Sequence, residues 1–133
     1  MDSGGPREID TKEFFGSSAN SPIGIGADSR STVFRLSQAG ARMLKRDKKA
    51  MIYAVELPPD KYSAEILSLI SGLPNIEQVQ LSRTAVEDED LKVFAELPRL
   101  EGVGIYETKN TVEGLEFLTT IPSLKLIQTD LDI

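Results

Sequence analysis

The chain has 133 residues, the size of a single domain, with 40% hydrophobic and 27% charged residues, ordinary values for a folded protein. It contains no Cys and no His, which excludes disulfides, thiolate nucleophiles, His-based triads and zinc sites of the Cys/His type. A net charge of −6 argues against general nucleic-acid binding, and no apolar run approaches the roughly 20 residues that span a bilayer, so neither nucleic acid nor membrane is an expected partner.

The first 31 residues are rich in Gly, Ser, Pro and Asp, with Phe14, Phe15, Ile23 and Ile25 among the few larger apolar groups inside the segment. They read as a flexible or loosely packed N-terminal segment, and residues 32–133 as the folded domain. The start lacks the basic-then-apolar pattern of a secretory signal, so a full-length chain beginning here is expected in the cytoplasm. Pro22 to Asp28 contains G-x-G without a third Gly, a preceding strand or a following helix, and reads as a connector rather than a phosphate loop. Charge is uneven. Residues 1–50 carry nine Lys/Arg against six Asp/Glu, and the remainder six against 15.

Leu36, Ala39, Met43 and Leu44 have helical spacing, so a helix is predicted from about Ser37, as N-cap, to Asp47. Its apolar stripe would cap the N-terminal end of the domain. Arg42, Lys45, Arg46, Lys48 and Lys49 would form a basic face, most simply a solvated one.

From residue 49 onward the sequence repeats every 24 positions. Leu73-Pro74 recurs as Leu97-Pro98 and Ile121-Pro122. Ile76, Val79 and Leu81 recur as Leu100, Val103 and Ile105, and Thr84 as Thr108. Leu91 and Phe94 recur as Leu115 and Leu118, while Ile52, Val55, Leu57, Leu67 and Ile70 fill the same places one period earlier. Pairs two apart, such as Val79/Leu81, share one face of a strand, whereas Leu91 and Phe94, three apart, have helix spacing. Each Pro ends the preceding helix. The predicted unit is a strand, a turn, a short helix and a return loop. Stacked units bury one core between a parallel sheet and a layer of helices.

The run Ile76-x-x-Val79-x-Leu81-x-x-Thr84-x-Val86 resembles the leucine-rich repeat signature, with Thr at the Asn/Cys position, and Thr84 to Leu91 resembles the T-x-V-x-D-x-x-L form of bacterial leucine-rich repeat proteins. The resemblance covers about residues 49–133, or four units with the last truncated. It implies an α/β solenoid and a non-catalytic protein-binding scaffold with no cofactor, and it supplies no catalytic residue. It also places Thr84 and Thr108 inside the turn after the strand, bonded to backbone. The sequence departs from the pattern at Asp60 and Tyr62, which stand where Thr84 and Val86 stand one unit later. It departs again at Asn110, in the Val86 position of the third unit, and at Thr129, in the Leu81 position of the last.

Strand alternation nominates the outer sheet face as the partner surface: Glu56 in the first unit, Gln78 and Gln80 in the second, Gly102, Gly104 and Tyr106 in the third, Leu126 and Gln128 in the last. Four strands span only about 19 Å, so this face is shallow. Gly102 and Gly104 are expected to leave it bare beside Tyr106. The last strand, about Leu124 to Thr129, has no following unit, so its edge is expected to form a two-fold homodimer or receive a partner strand, unless the final residues fold back over it. Two other readings stand beside the interaction module. The run Glu87-Asp88-Glu89-Asp90 offers carboxylates for a metal or an enzyme, although its position favours a helix N-terminus and it lacks the spacing of a calcium loop. Alternatively, the chain is a structural subunit stacking on another chain.

Overall fold

The computed structural model describes residues 27–45 and 51–131. Five strands form one sheet in sequence order: β1 (Arg42–Lys45), β2 (Ile52–Glu56), β3 (Gln78–Gln80), β4 (Gly102–Gly104) and β5 (Leu126–Gln128). β1 runs antiparallel to β2, and the remaining pairs are parallel. The parallel register advances in the steps read from the sequence. Ala54 lies beside Gln78, Gly102 and Leu126 in turn, and Val55 beside Val79, Val103 and Ile127. The backbone follows the same steps: Glu77, Glu101 and Lys125 donate their N–H groups to Tyr53, Glu77 and Glu101 carbonyls. The fold is mixed α/β, with a largely parallel sheet covered on one side by helices.

The covering layer is made of short, tight turns. The 3-10 turn Pro59–Lys61 precedes helix α2 (Ala64–Ser68), which continues as the 3-10 helix Leu69–Gly72. The second unit has a 3-10 helix at Asp88–Glu96, and the third a helix α3 (Val112–Leu118). The i, i+3 spacing of Leu91, Phe94 and Leu97 suits three residues per turn, which places all three on the buried side of the 3-10 helix. Leu73, Leu97 and Ile121 donate to the carbonyls of Ile70, Phe94 and Leu118, closing each helical segment, and the following Pro stands in a turn. Rows of equivalent side chains, Leu67/Leu91/Leu115 and Ile70/Phe94/Leu118 among them, fill one core with the inward strand residues Val55, Val79 and Val103.

The N-terminal helix sits earlier in the chain than the spacing predicts. Helix α1 spans Arg30–Gln38, capped by Ser29, whose hydroxyl accepts from Thr32 N at 3.2 Å. Gly40, with φ 91, turns the chain, and Arg42 to Lys45 form β1 instead of helix. Met43 and Leu44 explain the misreading. They resemble part of a helical stripe, yet Met43 opposes Val55 toward the core while Leu44 opposes Ala54 on the other face. The basic residues therefore do not share one helix face, since Arg42 and Lys45 belong to a strand; Arg46, Asp47, Lys48 and Lys49 lie outside the described residues. Asp28 and Ser29, which composition assigns to the N-terminal segment, already belong to the body: Ile52 N donates to Asp28 Oδ2 at 2.9 Å, and Ser29 N to Gly72 O.

The register slips between Leu44 and Lys45, so Lys45 opposes Ile52 and Tyr53 is left over. Such a bulge re-aims side chains. Ile52 and Val55 enter the main core, while Tyr53 and Ala54 form a small cluster with Leu44.

Candidate binding surface

The outer face of the sheet is partly closed. Ala54, Gln78, Gly102 and Gly104 are buried, and Glu56, Gln80 and Gln128 are half-buried. Glu56 meets Arg42 of β1 at 3.4 Å. Gln80 turns along the sheet. Its Oε1 accepts from Ser82 N at 3.0 Å and from the Ser82 hydroxyl, and the amide lies over Gly104, where a Cβ would stand 2.6 Å from Gln80 Nε2. The expectation that Gly102 and Gly104 leave the sheet bare is therefore corrected: glycine at 104 makes room for a side chain from the neighbouring strand. Tyr106 and Leu126 remain open, 43% and 41% exposed. No strand pairs with the outer edge of β5 among the described residues. Leu131 packs against the core, and Asp130 accepts from Glu107 N at 3.3 Å, so the chain after β5 runs on beside the turn that follows β4. Ile133 lies outside the described residues.

The turns after β3 and β4 show the pattern implied by the resemblance. Thr84 donates its hydroxyl to Leu81 O at 2.7 Å and accepts from Val86 N at 3.3 Å. Thr108 repeats both bonds with Ile105 O and Asn110 N. The residues before them, Arg83 and Glu107, have φ of 66° and 55°, the same left-handed step one period apart.

The acidic run is taken up by structure. Glu87 and Asp90 form a reciprocal capping box at the start of the 3-10 helix. Asp90 also accepts from the Tyr62 hydroxyl of the preceding unit at 2.8 Å. Burial first, then this bond and the charges of Asp90 and Glu87, push the Tyr62 phenol up. Asp88 reaches the following unit. Its carboxylate accepts from Asn110 Nδ2 at 3.1 Å, Thr111 N at 2.9 Å and the Thr111 hydroxyl, and from the Gly114 backbone, at the N-terminus of α3. Burial alone would raise its pKa, but these donors outweigh it and hold the carboxyl below its ordinary value. The described residues bring no three Asp/Glu into a group that could hold a metal ion.

A lowered folded-state value means that Asp88 stabilises the fold above the unfolded carboxylate value near pH 4, and that this contribution is lost as pH falls through the folded value. Asp88→Asn is expected to lower stability at neutral pH and to flatten the loss as pH falls below about 4. Urea melts across that range check it, and an unchanged acid slope would remove Asp88 from the acid sensitivity.

No protein-family model matches this chain, and no curated protein does. Among solved structures, the tropomodulin C-terminal domain of Caenorhabditis elegans aligns with a TM-score of 0.51 over 75% of this chain and 62% of that one, at 20% identity. The likeness is one of fold. No described helix is long and apolar enough to cross a membrane.

Sequence reasoning missed the two links that the acidic run makes. The signal was present as departures from the repeat. Tyr62 and Asn110 hold the position that Val86 fills with an apolar side chain, and each meets a carboxylate of the middle unit, Tyr62 through Asp90 and Asn110 through Asp88.

Proposed function

We propose that the chain is a non-catalytic protein-interaction module of the leucine-rich repeat type, a short solenoid that binds a protein partner through the C-terminal part of its sheet. The observation that carries this reading is the pair of exposed apolar residues Tyr106 and Leu126, on a face otherwise buried or half-buried, beside a strand whose outer edge no other strand pairs with among the described residues. Such an edge takes either a strand from a partner or the same strand of a second copy. The likeness of fold to a tropomodulin domain is compatible with a binding role and goes no further. The acidic run supports no second reading, because Asp88 and Asp90 are occupied in joining units.

Placing a photo-crosslinking residue at Leu126 is expected to give adducts, whereas the same residue at Lys92, on the helical side, gives none. Light scattering at micromolar concentration separates the two occupants. A dimer that dissociates when Leu126 is replaced by Lys is the homodimer, and a monomer that still gives Leu126 adducts has a different partner. Equal crosslinking from both positions would discard the sheet edge as the binding surface.

A further inference from the structure

We propose a second docking site at the opposite end of the sheet: a groove between α1 and the β1–β2 pair that binds an acidic peptide segment carrying an apolar side chain. The groove has a volume of about 470 Å³ and is lined by Asp28, Arg30, Val33, Phe34, Lys45 and Ile52, with Ser37 at its side. A space of that size holds a large side chain with its flanking backbone.

Two features set the chemistry of the occupant. Phe34 is 63% exposed, the most open of the large apolar residues described, and lines the groove together with Val33, which packs against the core. An aromatic ring left in water beside an apolar floor is an anchor for an apolar side chain. Arg30 and Lys45 approach the same groove from α1 and β1, and neither is paired with a carboxylate among the described residues. Two unpaired cations flanking an apolar floor complement acidic groups on either side of an apolar residue. Together these favour a peptide over a simple anion.

The proposal is tested on the full chain by fluorescence anisotropy with a labelled short peptide of alternating Glu and Leu. Saturable binding is expected, weakened about tenfold or more by Phe34→Ala and by the pair Arg30→Glu, Lys45→Glu. Lys125→Glu, a charge change beside β5, should leave the affinity unchanged, and inorganic phosphate, which offers charge without an apolar anchor, should not compete. Circular dichroism on each variant establishes that the fold is intact; Phe34 is exposed enough for truncation to preserve it. The proposal is overturned by absent binding, by equal binding of a Lys/Leu peptide, or by an equal loss in Lys125→Glu. It is overturned too if the chain is a dimer that Phe34→Ala dissociates, since the occupant is then a second copy.

Discussion

Phe94→Ala is expected to destabilise the fold by about 3–5 kcal/mol, and Leu81→Ala and Leu91→Ala by about 2–5 kcal/mol each. All three side chains are fully buried in the core, where the removed atoms leave a cavity between units that cannot collapse without moving the sheet against its helices. Gln80→Ala, one residue from Leu81 and on the opposite face, should cost no more than about 1 kcal/mol, because it loses neutral hydrogen bonds to Ser82 at a half-buried site. Urea melts of the four variants rank them, and a ranking with Gln80→Ala as the most damaging would show that the strand register is wrong.

That ranking rests on information legible before any coordinates. A period carried by Pro74, Pro98 and Pro122, with apolar pairs two apart and then residues three apart, fixes which residues face inward, and the structure places Val79, Leu81, Leu91 and Phe94 in one core. Periodicity is a property of many positions at once, so single departures do not obscure it. The N-terminal end lacks that protection because it does not repeat. There, four apolar residues fit a helix and a helix-turn-strand equally well, and Gly40 at positive φ decides between them. Cross-unit hydrogen bonds were hidden for another reason. The contact of Asp88 with Thr111 depends on how far one unit is offset from the next, which a pattern of apolar positions leaves open. Glycine at 104 was misread for the same cause: the neighbour that covers it, Gln80, comes from the adjacent strand.

Gly114→Ala is expected to destabilise, against the usual rule for a helix. Alanine in place of glycine inside a helix normally gains up to about 1 kcal/mol. Gly114 lies in the first turn of α3, directly over the Asp88 carboxylate. A Cβ there would stand 2.8 Å from Asp88 Cγ, closer still to Oδ1, and 3.1 Å from Leu91 Cδ1. The carboxylate can move away only by giving up its bonds to Asn110, Thr111 and Gly114, and Asp is too short to regain them from a new position. Losing charge-assisted bonds at a helix N-terminus costs about 1–3 kcal/mol, which exceeds the helical gain and leaves Gly114→Ala net destabilising by about 1–2 kcal/mol. Asp88→Ala alone should cost about as much, since it deletes the same bonds. The sign of the glycine substitution then depends on its partner. In the Asp88→Ala background the obstacle is gone, and Gly114→Ala should become neutral or stabilising. A double-mutant cycle in urea reads this coupling directly. Additive effects of the two substitutions would show that Gly114 and Asp88 act independently, and that the link between the second and third units lies elsewhere.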